Sequence, residues 1–224
     1  MSGPDYGRAF AAWGGAAPDW DAYVRHPFVR ALGDGTLPRA AFLHYLVQDY
    51  LFLIHFARAW ALAVVKADTL DEMRAAAGTV DALVNHEMQL HVRTCAGAGI
   101  AEARLAEAQE APENMAYTRY VLEAGFSGDF LDLMAALAPC VLGYGEIGAR
   151  LAADGAAPYR DWIDTYGGAE YQGVCRDVGR LIDGAAERRL GHDFAASPRW
   201  PRLADRFRTA IRLEVGFWDM GRAP

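Results

Sequence analysis

Two carboxylates and a thiol stand out in this sequence, because their neighbours bear on what they can do. Asp49 shares a helical face with Tyr45, Phe52, Leu53 and Phe56, since residues three and four apart are neighbours on a helix. Taking an ionised carboxylate out of water is costly unless something satisfies it. Asp49 is therefore exposed at a rim, held by an Arg or Tyr, or set to meet a cationic or hydrogen-bonding ligand. Cys140 follows Pro139 inside residues 131–150, a segment otherwise rich in helix formers, and Tyr144 lies one turn further on the same face. Proline there removes a backbone donor and bends the helix. A bend beside a thiol, with a phenol one turn away, could frame a nucleophile; the plainer alternative is an inert core cysteine. Cys95 and Cys175 have no comparable setting.

Glu214 repeats the theme near the C-terminus, on one face with Phe217 and Trp218. It is either an acid/base or the surface partner of Arg208 or Arg212. Glu87 and His91 form an i, i+4 pair that could offer two ligands to a metal. A di-iron bundle needs a second such helix, however, and His26, His44, His55, His86 and His192 provide no matching E-x-x-H. The polar side chains over 48–55 keep a metal reading open beside the others. Tyr117, Tyr120, Tyr144, Tyr166 and Trp218 serve as core packing by default, with a stacking box for a flat heterocycle as the alternative. No GxGxxG or Walker-type loop opens a helix, so nothing points to a nucleotide.

The elements that must hold these groups read as helices almost throughout. Apolar residues recur at helical spacing, and no series of alternating Val/Ile/Thr-rich runs with hairpin turns occurs. One helix is predicted from Asp19 to Gly33-Asp34-Gly35, and a second after a Thr36 cap, with Pro38 in its first turn, to about Lys66. Thr69-Leu70-Asp71-Glu72 is a capping box, predicting a long helix to Gly97 and Gly99. Shorter helices follow over 102–109 and 113–124, the latter ending at Gly125. Ser127-Gly128-Asp129 opens another helix to about Ala153, closed by Asp154-Gly155 and Pro158. A short helix over 159–165 ends at Gly167-Gly168, and the last two span 169–190 and, capped by Ser197 with Pro198 at the first position, 199–220.

The chain has 224 residues, 53% hydrophobic and 23% charged, which suits a substantial core and one domain over 1–224. With 22 basic and 29 acidic side chains the net charge is -7, so a broad electrostatic footprint for nucleic acid is missing. The charge-free apolar run between Asp49 and Arg58, like every other in the sequence, is well short of the roughly 20 residues of a membrane span. Three widely spaced cysteines make neither a CxxC pair nor a disulfide framework. The apolar stretch over 9–17 is interrupted by Gly14 and Gly15, unlike a signal-peptide core, and the expected location is the cytoplasm.

Taken in order, a set of pieces resembles the TenA-type thiaminase II family, the aminopyrimidine aminohydrolases of thiamin salvage. They are His26-Pro27-Phe28, Gly33-Asp34-Gly35-Thr36-Leu37-Pro38, Gln48-Asp49-Tyr50, Glu87 with His91, Ser127-Gly128-Asp129-Phe130, Pro139-Cys140 with Tyr144 and Glu146, Trp162 through Tyr166-Gly167-Gly168, and Glu214 with Phe217-Trp218. The combination, more than any one piece, carries the resemblance. It implies an all-α, haem oxygenase-like helical bundle, a homotetramer, no cofactor, and a pocket for an aminopyrimidine or thiamin.

By the same resemblance Cys140 is the nucleophile that adds to the pyrimidine ring, Asp49 holds the ring's amidine-like nitrogens, and Glu214 protonates the leaving group and helps activate water. Tyr117, Tyr144 and Tyr166 match pocket tyrosines. Phe52 stands where many members carry a tyrosine, keeping the ring and losing the hydroxyl. Two other classes compete with this reading: a haem-oxygenase-like di-iron oxidase using Glu87 and His91, and a non-catalytic pyrimidine-binding regulator.

Overall fold

The computed structural model describes residues 4–15, 19–153 and 157–222. Among them all regular structure is helical. The helices are α1 (Arg8–Gly15), α2 (Trp20–Val24), α3 (Pro27–Asp34), α4 (Arg39–Lys66), α5 (Leu70–Ala82), α6 (Met88–Gly97), α7 (Glu102–Ala106), α8 (Pro112–Ser127), α9 (Phe130–Leu151), α10 (Arg160–Gly167), α11 (Ala169–Leu190) and α12 (Trp200–Arg222). A π-helical turn, Leu83–Glu87, joins α5 to α6, and short 3-10 turns stand at Ala157–Tyr159 and Phe194–Ala196. The expected all-α class is what the chain adopts.

Several predicted boundaries shift for local reasons. The helix expected from Asp19 to Gly33 is two helices, because Pro27 disfavours helical angles at His26. His26 sits at φ -53, ψ 149 and caps α3 instead, its Nδ1 accepting the Phe28 N–H. Thr36 does not cap α4: its hydroxyl donates to Asp34 Oδ1 at 2.6 Å, and Pro38 takes the N-cap position. Thr69 Oγ1 accepts from the Glu72 N–H as the capping box requires, and Glu72 accepts from the N–H of Asp68, one residue before the cap, at 2.7 Å. The helix it opens contains the unforeseen π turn before reaching Gly97. Gly125 lies inside α8 and does not end it; a Cβ there would press on Leu62 and Leu133. The expected stop at Asp154-Gly155 lies outside the described residues.

The chain divides into two compact units. The first comprises residues 1–37 and 134–215, the second residues 38–133 and 216–224. Helices α9 and α12 each begin in one unit and end in the other. In the second unit α4 packs against α5, α6 and α8, and α6 against α7. In the first, α1 packs on α11, and α10 on α11. The free N–H groups at the start of α1 are met by Asp183 of α11, whose carboxylate accepts from Arg8 and Ala9 at 2.9 and 2.8 Å, an anion where a helix start favours one.

By length and apolar composition α4 and α9 could each cross a bilayer. Their most apolar windows are 67% and 89% buried within the protein, as core helices are.

Candidate active site: a paired carboxylate and an accessible thiol

In the second unit, α4 buries Asp49 in its middle. Two donors meet the same carboxylate oxygen: Tyr45 Oη donates to Oδ2 at 2.9 Å, and His91 Nε2 lies 2.7 Å from it. Tyr45 is one turn back on α4, so its contact follows from helical spacing; His91 comes from α6, 42 residues on in sequence. Its other ring nitrogen, Nδ1, faces the Glu87 backbone carbonyl at 3.1 Å. Burial alone would push the imidazole pKa down. The bond to Asp49 and its charge, helped by the Glu87 carboxylate and carbonyl, outweigh burial and hold that pKa above its ordinary value.

The Glu87 carboxylate acts on His91 by its charge, but His91 offers no free nitrogen to the metal of the alternative reading. Its two nitrogens are spent on Asp49 and on a backbone carbonyl, and among the described residues no group of three or more His, Cys, Asp or Glu stands where it could hold a metal ion. The sequence carried one signal for it: His91 lies one turn before the buried Cys95, a polar ring on the inner face of α6.

Rings surround the carboxylate's face of α4. Phe52 packs at 5.0 Å from Tyr117, 5.2 Å from Phe56 and 5.5 Å from Phe217, and Tyr45 stands 5.4 Å from Trp218. All are buried. Gln48, beside Asp49, ties α4 to the start of α8: its side chain donates to the Gln109 carbonyl and accepts from Ala111 N–H, both at 2.9 Å, while Asn114 donates to its carbonyl at 2.8 Å. The identity of Gln48 was legible in sequence; its bracing role was not.

In the first unit, α9 carries Cys140. Cys95 and Cys175 are buried, whereas Cys140 is only partly so, and all three are free thiols. Burial raises the Cys95 pKa and pushes the Cys175 thiol up to about 12, which leaves both protonated and inert at neutral pH. Pro139 stands inside α9, and its carbonyl accepts from Tyr23 Oη at 3.2 Å.

One turn beyond Cys140, Tyr144 lies 5.1 Å from Tyr166 and 5.9 Å from Trp162, and Tyr166 packs edge-on to Tyr171 at 4.9 Å. Close helix approach positions Tyr166: a Cβ on Gly148 of α9 would collide with the Tyr166–Gly167 backbone. Gln172 secures the same point, donating to the Gly145 and Tyr166 carbonyls at 2.8 and 3.0 Å. Glu214, on α12, is buried, so it is not the surface carboxylate that pairing at the rim with Arg208 or Arg212 would make it.

The family pattern described as TENA/THI-4/PQQC matches residues 13–223. A crystal structure from Silicibacter sp. TM1040, described as a TenA family transcription regulator, is 61% identical with a TM-score of 0.95, over 98% of both chains. The aminopyrimidine aminohydrolase of Halalkalibacterium halodurans is 35% identical over 92% of this chain and 91% of its own. That of Helicobacter pylori is 33% identical over 90% and 92%. The helices, the match along nearly the whole sequence and these relatives agree, and the chain belongs to the TENA/THI-4/PQQC family.

Proposed function

We propose that the chain is a hydrolase of thiamin salvage. It converts 4-amino-5-aminomethyl-2-methylpyrimidine to the 5-hydroxymethyl compound and, more slowly, cleaves thiamin to the same product. The observation that carries this reading is the end-to-end likeness to relatives named aminopyrimidine aminohydrolase. The contrast among the thiols supports it, since only the one that resembles the family's nucleophile is partly accessible.

Cys140 sulfur gives an electron pair to an electron-poor ring carbon, forming a C–S bond, and the displaced ring electrons expel the amine from the 5-methylene. Glu214 supplies the proton with which the amine leaves as a neutral molecule. Water then adds to the methylene carbon, its surplus proton returns to Glu214, and the C–S bond breaks with its electrons going back to sulfur. The net change is water consumed and ammonia released. Asp49 binds the ring's nitrogen edge. Phe52, Tyr117, Tyr144 and Tyr166 line and stack on the ring. The chain works as one domain over 1–224, in a cytoplasmic homotetramer, with no cofactor.

The word regulator in the name of the Silicibacter relative belongs to that protein. Here a net charge of -7 offers no broad basic face for nucleic acid. Incubation with the aminomethyl pyrimidine and with thiamin, followed by detection of the hydroxymethyl product, tests the proposal. Product from both, faster from the former, is expected; tight binding of the pyrimidine without turnover would overturn it in favour of a binding protein.

A further inference from the structure

Protons on the Asp49–His91 pair are fixed by what each atom can do. The Glu87 carbonyl oxygen only accepts, so the 3.1 Å contact requires the proton on His91 Nδ1. The 2.7 Å contact between Nε2 and Asp49 Oδ2 then holds a second proton between two groups that are both buried. Tyr45 Oη donates to that same Oδ2. A carboxylate oxygen has two acceptor directions, so Tyr45 and His91 fill Oδ2. Among the described residues no donor reaches Oδ1.

The helix that delivers His91 is modified directly before it. At the end of the π turn Leu83–Glu87, the Met88 N–H bonds back five residues to the Leu83 carbonyl. One inserted residue turns everything beyond it by about 100° around the helix axis. Such single-turn insertions concentrate at functional sites. His91 lies in the first turn after this one and faces α4 with both nitrogens used. Asp49 on α4 and Glu87 in the π turn are the titratable groups acting on it, and Tyr45 acts on Asp49.

We propose that His91 is a positioning residue for Asp49: as an imidazolium it pins Oδ2 and neutralises the carboxylate, so that a ring N–H donor meets Asp49 through Oδ1 alone. The carboxylate is then a one-oxygen acceptor of fixed orientation, and not a two-oxygen fork for an amidine edge. A net-neutral pair also gives up its hydration more readily than a lone anion. The raised imidazole pKa agrees with the charged ring. The ligand part of this inference rests on the proposed reading of Asp49 as the ring-binding carboxylate; the pair itself does not.

The experiment has two arms. Long-range 1H–15N NMR of the ligand-free full chain at pH 7, with His91 assigned by its loss in His91→Gln, reads the two ring nitrogens directly. Both protonated in the native chain, and one only in Asp49→Asn, is the expected result; a neutral His91 in the native chain, or a pattern unchanged by Asp49→Asn, overturns the pair.

In the second arm the aminomethyl pyrimidine is turned over by the native chain, Asp49→Asn, His91→Leu, His91→Gln and the double variant His91→Leu/Asp49→Asn. A lost hydrogen bond to a charged group is worth roughly 10- to 100-fold, so KM in His91→Leu should rise by about that much, with kcat falling less. His91→Gln, whose amide still donates to Oδ2, should recover part of it. On the Asp49→Asn background His91→Leu should add under about threefold, because the oxygen it positioned no longer carries the charge. Full additivity, or no recovery with glutamine, overturns the positioning role. If His91→Leu does not fold, the NMR arm and His91→Gln decide. If the native chain neither binds nor turns over the pyrimidine, the functional reading fails while the NMR arm still judges the pair.

Discussion

The two regions that carry the reactive groups are built on opposite principles. Around Asp49 buried polar groups hold one another across helices: Oδ2 meets Tyr45 and His91, His91 Nδ1 a backbone carbonyl, and Gln48 the 109–114 segment. One turn from Cys140 the Tyr144 ring packs on Tyr166, and Cys140 is only partly buried where Cys95 and Cys175 are buried. A buried carboxylate survives only when its charge is matched, whereas a nucleophile must be reached. The carboxylate region should therefore contribute to stability and chemistry together, and the thiol region to chemistry with little effect on stability.

Replacing the thiol is the sharpest way to break that contrast. Cys140→Ser should lower turnover by orders of magnitude, as loss of a nucleophile does, and leave unfolding free energy within about 0.5–1 kcal/mol of native. Cys95→Ser and Cys175→Ser should stay active. Steady-state kinetics and urea unfolding on the three variants measure this. Full activity in Cys140→Ser would remove the thiol from the mechanism.

Glu214 lies on a helix that runs from one unit into the other, and it tests whether a buried carboxylate there does chemistry. A general acid contributes about 10²–10⁴ in rate, so Glu214→Gln should slow the aminomethyl pyrimidine by about 10² or more. Thiamin should lose less, because its thiazolium departs as a neutral thiazole and needs no proton. Equal losses would point to a role common to both substrates, such as activating water. The comparison holds when bond cleavage limits both rates.

Much of this arrangement could be read from the residues, because it depends on contacts three and four apart. The α4 stripe, the Pro139-Cys140-Tyr144 run and the α11 boundaries are of that kind. What escaped is non-local. The cap of α1 is Asp183, 174 and 175 residues away from the N–H groups it accepts from, so no local signal announced that helix. His91 was noticed with Glu87, its i, i+4 neighbour, yet its partner is Asp49, on another helix, after a π turn that breaks the 3.6-residue phase. Spacing could locate the buried carboxylate; only the fold shows what balances its charge.

That balance has a pH signature. The folded pKa of His91 is raised above its unfolded value near 6.5. The stabilisation it brings is therefore fully present below about pH 6.5 and is lost as pH rises through the folded value. The unfolding free-energy gap between the native chain and His91→Gln should be largest at pH 6 and narrow towards pH 9. A gap that widened with pH would mean that the imidazole is held neutral and that the carboxylate region is not an ion pair.

The smallest expected effect belongs to Phe52, where the family resemblance would have placed a tyrosine. The side chain is buried with Tyr117, Phe56 and Phe217 at 5.0–5.5 Å. Phe52→Tyr adds one hydroxyl at the far end of the ring. A buried hydroxyl with no partner costs about 1–3 kcal/mol, and one that finds an acceptor recovers most of that. If Phe52 serves as a packed ring surface, Phe52→Tyr should lose about 1–2 kcal/mol of stability while kcat for the aminomethyl pyrimidine moves less than about threefold. The opposite pattern, unchanged stability with a clear change in kcat or in the preference between aminomethyl pyrimidine and thiamin, would mean that the hydroxyl meets a reacting group or the substrate. Phe52 would then be a point at which this chain tunes its chemistry, and the division between a region that stabilises and a region that reacts would have to be redrawn through α4.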